Sequence, residues 1–140
     1  MADSTYVEIA KFTVAGGVDG KYKGKAVDLM AKAAEAAVKA SSKLTLDKPK
    51  EKGAKGWCVL GTLDSVAPDK TGKKFEAKVS MTIATWPAKS MKSFPSGSAG
   101  FPIASADEKV SAGDADQLIS RAVKAAMQSG VPYMEKTRPE

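Results

Sequence analysis

The sequence predicts an α+β fold, a two-layer sandwich in which two helices lie on one face of a three-stranded sheet. Three observations support this class. Apolar and polar residues alternate along residues 73–86, two segments repeat their charged or apolar residues at helical spacing, and a short Pro- and Gly-containing connection joins two of the predicted strands. The expected order is strand, helix, strand, strand, helix, in one domain of 140 residues.

The first strand is predicted over residues 5–14, which are rich in Val, Ile, Phe, Tyr and Thr. Its apolar residues change from odd to even positions between Ile9 and Phe12, which indicates a bulge near Ala10. A helix is then predicted over residues 25–41, because charged residues recur there every three or four positions. The opposite face is mostly small, which permits close approach of the sheet, the other helix or an oligomer partner: Val27, Met30, Ala31, Ala34, Ala37 and Val38.

Residues 42–56 show neither the helical nor the strand periodicity of apolar residues and are predicted to form a solvated linker. The second strand, residues 56–66, is apolar on both parities, which is typical of an interior or partner-covered strand. Asp69 lies between Pro68 and Gly72 in a turn-forming connection, so the second and third strands are expected to pair as an antiparallel hairpin. The third strand, residues 73–86, presents Phe75 and every second residue after it to the core.

The remainder is predicted as a long loop over residues 87–106, a helix over residues 114–129 and a tail over residues 131–140. The loop contains three prolines, two glycines and five serines. Ser111 or Asp114 is the expected N-cap of the helix, and Gly130 its expected end. The element order is similar to that of dodecin-like proteins and periplasmic lipoprotein domains; this is an analogy of order, since no motif of either is present.

Composition argues against most enzyme classes. Histidine is absent, which removes the usual general base and the commonest transition-metal ligand. The glycines near residues 16–20 fit neither dinucleotide nor phosphate-loop spacing and are predicted to form a turn. The acids around the predicted hairpin have no spacing that forces them into one pocket, and Cys58 is expected to be a buried structural cysteine. No enzymatic activity, cofactor or metal is therefore expected.

The predicted loop contains the best candidate contact residues. Its segment from Lys89 to Ile103 has side chains too apolar for an ordinary solvated linker, so a partner-binding role is expected for Met91, Phe94, Phe101 and Ile103. The alternative is that Phe94 and Phe101 fold back and cap the sheet edge or the open end of the core. Both alternatives have equal weight on the sequence alone.

The basic residues suggest a second kind of contact. The 22 basic and 16 acidic residues give a net charge of +6, but only two of the basic residues are arginines, which disfavours sequence-specific nucleic-acid reading. Non-specific attraction to anions remains open, although solvated surface is the simpler interpretation. The candidate anion-binding residues are Lys48, Lys50, Lys52, Lys55, Lys73, Lys74 and Lys78.

These observations predict a small non-enzymatic structural or assembly protein. It is expected to associate with itself, or with another protein, through the apolar loop and a sheet edge or helix face. The alternative is a basic binding module for an anionic ligand or for nucleic acid without sequence preference. Since the chain shows a single cysteine and neither an apolar leader nor a membrane span, the expected location is the cytoplasm; the other possibility is a chain cut from a longer precursor.

Overall fold

The computed structural model describes residues 4–18, 20–105, 108–137 and 139. The α+β class is confirmed, with two helices and a sheet of six strands. The elements in chain order are β1 Thr5–Val14, α1 Gly20–Lys39, β2 Leu44–Thr45, β3 Gly56–Pro68, β4 Lys74–Trp86, β5 Met91–Ser93, β6 Ser96–Pro102 and α2 Ala112–Lys136.

The strands lie in the order β2-β1-β3-β4, and the last position is shared by β5 and β6, which pair with different parts of β4. β1 is parallel to β2 and β3, and the remaining pairs are antiparallel. The predicted count of three strands was too low. The strands β2 and β5 have two and three residues, too few for a visible alternation, and β2 lies inside the predicted linker.

The predicted bulge and hairpin are both confirmed. The pairing of β1 with β3 shifts register between Ile9 and Phe12, and β3 and β4 form an antiparallel pair. In the connecting turn the Asp69 carboxylate accepts hydrogen bonds from the Thr71 hydroxyl at 2.8 Å and from the Lys73 amide at 3.3 Å. The first of these bonds is the main reason that the pKa of Asp69 is lowered.

Both helices pack on the same face of the sheet and run in the same direction. Leu29 lies beside Gln117 and Arg121, and twelve residues later Ser41 donates a hydrogen bond to Glu135. The core lies between this helical layer and the sheet, and its largest fully buried side chains are Trp57, Met30, Leu63, Met81, Ile83, Leu118, Ile119, Met127 and Met134. The alternating residues of β4 therefore face the helices, as the sequence predicts.

Each helix is longer than the sequence predicts. α1 begins at Gly20 because Tyr22 is buried and contacts Phe75, with 6.5 Å between ring centroids, which outweighs the weak helix propensity of glycine. α2 continues to Lys136, through the residues predicted as a tail, and Pro132 lies inside it. Ser111 is the N-cap, and its side chain accepts a hydrogen bond from the Asp114 amide at 3.1 Å.

The predicted loop over residues 87–106 is half strand, with ten of its twenty residues in β5 and β6. Its residues form β5 and β6 and the step between them, and β6 pairs with β4 from Lys74 to Ser80. The sequence of β6, Ser-Gly-Ser-Ala-Gly-Phe-Pro, lacks a run of alternating large apolar residues, and Gly97 lies where α2 packs directly against the strand. Within the described ranges no helix combines the length and apolar content that a bilayer span requires.

Candidate functional site

β5 and β6 form the outer edge of the sheet, and two exposed apolar side chains lie there, one in β5 and one between the two strands. Met91 and Phe94 are each 67% exposed. Among the described residues no strand pairs with the outer side of β5 or β6, so backbone groups of these strands face away from the sheet without a strand partner. We call Met91, Phe94 and the outer side of these two strands the apolar edge.

The turn that precedes β5 is held by Thr85, which is buried. Its amide donates to the Ser90 carbonyl at 2.9 Å, its hydroxyl accepts from the Ser90 amide at 3.0 Å, and its carbonyl accepts from the Lys89 amide at 2.7 Å. Three hydrogen bonds to one buried residue fix where the chain enters β5. Met91 is therefore presented from an anchored strand.

The four predicted contact residues lie in two different environments. Phe101 stacks on Phe75 with ring centroids 5.8 Å apart, and Ile103 is buried with its amide bonded to the Lys73 carbonyl at 2.9 Å. Phe101 is partly buried and Ile103 is buried at the end of the core, whereas Met91 and Phe94 lie on the surface. The fold-back arrangement is seen for Phe101 and not for Phe94, and partner binding stays a prediction for all four residues.

The predicted anion-binding lysines form two separate groups. The first group, Lys48, Lys50, Lys52 and Lys55, lies between β2 and β3. The Lys48 ammonium is 5.9 Å from the centroid of the Trp86 ring at the end of β4. The second group, Lys73, Lys74 and Lys78, lies at or near the start of β4. The ends of this 13-residue strand are about 40 Å apart at ~3.3 Å per residue.

In the second group the charge is partly balanced. The Glu76 carboxylate lies 3.9 Å from the Lys74 ammonium and 3.4 Å from that of Lys78. The structure therefore does not join the seven lysines into one anion-binding patch, and binding of an anionic partner stays a prediction for two smaller patches.

Cys58 is fully buried on β3, and its sulfur lies 3.6 Å from a carboxylate oxygen of Glu8 on β1. Burial raises the pKa of the Cys58 thiol from 9.0 to about 11, and the Glu8 carboxylate adds to the rise. Such a thiol is protonated at neutral pH and is a poor nucleophile. In the described part of the chain no cluster of acidic residues and cysteine is arranged to hold a metal ion.

We expect iodoacetamide to alkylate Cys58 in the folded protein at pH 8 about 100-fold more slowly than an ordinary cysteine, because the thiolate fraction falls about tenfold per unit of pKa. Burial of the sulfur slows the reaction further. Mass spectrometry of timed samples measures the rate. Glu8→Gln removes the carboxylate, which is the smaller cause of the raised pKa of Cys58, and should accelerate labelling only partly. A labelling rate equal to that of the unfolded chain, in the wild type or in this variant, would contradict a buried Cys58 thiol with a raised pKa.

A groove of about 610 Å³ lies between α1 and α2 on the side of the helical layer that faces away from the sheet. Its walls are alanines of α1 and the residues Met127, Val131 and Pro132 of α2, while Arg121, Lys124 and Glu135 lie along its rim. The small face predicted for α1 is divided: Met30, Ala34 and Val38 are buried in the core, and a second row of alanines lines the groove, namely Ala33, Ala36, Ala37 and Ala40. Of this row the sequence analysis included only Ala37 in the small face, and Ala33, Ala36 and Ala40 were not recognised although they recur with Ala37 at helical spacing.

No family model matches the chain, and no curated protein matches it. Several solved structures share its fold. A Xanthomonas campestris protein of the DUF330 family superposes with a TM-score of 0.62 at 10% identity, over 96% of this chain and 86% of that one. A neuraminyllactose-binding hemagglutinin homologue from Helicobacter pylori superposes with a TM-score of 0.54 at 9% identity, over 96% of this chain and 84% of that one.

A PelC dodecamer from Paraburkholderia phytofirmans gives a TM-score of 0.51 at 8% identity, over 90% of each chain. The likeness shows the fold alone. It places the chain among two-layer α+β proteins that include an oligomeric one, and at these identities it assigns neither an activity nor a binding residue.

Proposed function

We propose that this protein is a non-enzymatic structural protein that associates with copies of itself through the apolar edge. The observation that carries the proposal is the exposure of Met91 and Phe94, each 67%, on the same unpaired sheet edge. Large apolar side chains in contact with water are unfavourable, and a second copy that covers them removes that cost. Open strand edges offer backbone hydrogen bonds to the same partner.

The sequence of the edge supports a specific contact over indiscriminate aggregation. Lys92 lies between Met91 and Ser93 in β5, and charged residues at an edge disfavour uncontrolled strand addition. Pro95 and Pro102 limit the stretch of β6 that offers backbone amides. The dodecameric state of the PelC structure is an example of this fold in an assembly.

The non-enzymatic part of the proposal is supported by the side chains themselves. The sequence has no histidine, and the pKa of Cys58, the lone thiol, is raised away from neutrality. The Ser80 hydroxyl donates to Asp64 near the protein surface, but Lys78, which lines the same surface pocket, pairs with Glu76. These groups lack the activated nucleophile and base that hydrolytic chemistry requires.

The double substitution Met91→Lys and Phe94→Lys should convert the assembled protein to a smaller species, because it places two charges where a second copy would bury apolar surface. Light scattering coupled to size exclusion measures the mass at micromolar concentration. The matched control is Val27→Lys, which adds a charge at an apolar α1 residue that is 38% exposed. A wild-type mass equal to that of the 14.6 kDa monomer, or equal masses for wild type and double variant, would overturn the proposal.

A further inference from the structure

We propose that the groove between α1 and α2 is a second, two-fold contact for another copy of this chain, in which the two α2 helices lie antiparallel and cross near Gln128. The contact is separate from the apolar edge: it lies on the helical layer, and its residues are Ala33, Ala37, Arg121, Gln128 and Glu135. The occupant is α2 of the second copy, which crosses the groove near Gln128.

The shape of the groove fits a helix. Its α1 wall consists of alanines, which keep side-chain bulk low and let a further helix approach closely, as small residues do wherever helix axes lie near the ~8 Å limit. Val131 and Pro132 add apolar surface from α2, and both are only partly covered within one copy. A second helix in the groove would remove this surface from water.

The charges along the rim select the antiparallel orientation. Arg121 and Lys124 lie toward one end of the groove and Glu135 toward the other, and Gln128 is seven residues from both Arg121 and Glu135. A two-fold axis at Gln128 places Arg121 of each copy opposite Glu135 of the other. A parallel arrangement would instead place like charges opposite each other.

Arg121 and Glu135 form no ion pair among the described residues of one chain. Fourteen residues of helix separate the two, about 21 Å along the axis at 1.5 Å per residue. The Ser41 hydroxyl donates to Glu135 and so holds the carboxylate at the rim. The pair can therefore form only between copies.

Pro132 adds an acceptor at the centre of the contact. Because proline has no amide hydrogen, the carbonyl of Gln128 loses its helical donor four residues later. Gln128 is exposed, and its amide group is a donor that the same residue of a second copy can direct at this carbonyl. A symmetric contact brings the donor and the acceptor together twice.

Disulfide trapping tests the axis. The variant Gln128→Cys is made with Cys58→Ala and with the two apolar-edge substitutions, so that edge association does not contribute. Mild oxidation should give a covalent dimer on a non-reducing gel, since a residue on a two-fold axis meets itself. Lys39→Cys in the same background is the matched control, on the charged side of α1, and should remain monomeric. Equal dimer yields for the two cysteines, or no dimer for Gln128→Cys, would overturn the proposal.

A charge exchange tests the orientation in the same edge-substituted background. Arg121→Glu and Glu135→Arg should each weaken dimerisation about tenfold in sedimentation equilibrium, because each change creates two like-charge contacts, and the double variant should recover most of the loss. Rescue requires two copies, since the residues cannot meet in one. Absence of rescue would overturn the antiparallel register. A groove dimer in protein whose unsubstituted edge fails to associate would support this inference while refuting the proposed edge contact.

Discussion

Gly97→Ala should destabilise the protein by about 3 kcal/mol or more, because α2 packs directly onto the backbone of β6 at this residue. A Cβ atom at position 97 would lie 2.1 Å from the carbonyl oxygen of Ala122 and 2.5 Å from the amide nitrogen of Ala126. Both are backbone atoms of a packed helix, so no side-chain rotation relieves the clash. The helix or the strand must move, and contacts between α2 and the sheet are lost.

Urea unfolding followed by far-UV circular dichroism measures this loss as a shift in midpoint. Gly24→Ala is the matched control: the residue is exposed in α1, a Cβ atom added there would have nothing within 4 Å, and the substitution should stabilise the helix by ~0.5–1 kcal/mol. If both variants shift the midpoint in the same direction by similar amounts, the close contact at Gly97 is wrong.

Gly97 also explains why β6, a strand at the edge of the sheet, was not recognised from the sequence. Alternation made β4 predictable, since its successive side chains enter either the core or water. β6 meets α2 through its backbone at Gly97, so a small residue stands there in place of a large apolar one that would mark a buried position. A Ser- and Gly-rich strand resembles a loop in composition, and what makes it a strand is its pairing with β4, which is a long-range property.

The end of α2 was mispredicted for a related reason. Gly130 followed by Pro132 is a usual helix stop, but a Cβ at Gly130 would lie 3.2 Å from the Cδ1 atom of Ile83, so the glycine serves close packing. Beyond it, Met134 is buried and Tyr133 contacts Trp57. Burial of this last turn outweighs the hydrogen bond that Pro132 removes, and a local pattern contains no information about that burial.

The candidate site was predictable in part. The unusual apolar content between Lys89 and Ile103 is a property of composition and was visible, whereas the division of its residues between core and surface depends on where β6 ends. Phe101 reaches Phe75 because the two residues are paired across β6 and β4. Phe94 lies between β5 and β6 and is not paired with a residue of a neighbouring strand. Composition therefore indicates the segment, and pairing register decides which side chains remain exposed.

Trp57→Ala should cost about 3–5 kcal/mol, the range for deleting a large aromatic side chain from a core. Trp57 is fully buried between the sheet and α2, and its ring meets that of Tyr133 edge to face with centroids 5.6 Å apart. The cavity would open beneath the last turns of α2, where Pro132 already removes one helical hydrogen bond. We therefore expect the C-terminal part of α2 to lose amide hydrogen-exchange protection before the rest of the molecule.

The matched variant is Trp57→Phe, which keeps an aromatic ring in the core but removes the indole nitrogen. The indole Nε1 is buried and has no hydrogen-bond partner among the described residues, and an unsatisfied buried donor costs about 1–3 kcal/mol. Phenylalanine loses some packing volume but also removes this donor, so the net change in unfolding free energy should be about 1 kcal/mol or less. A loss as large as that of Trp57→Ala would mean that the indole nitrogen is satisfied in solution, and that the aromatic ring alone does not account for the stability Trp57 provides.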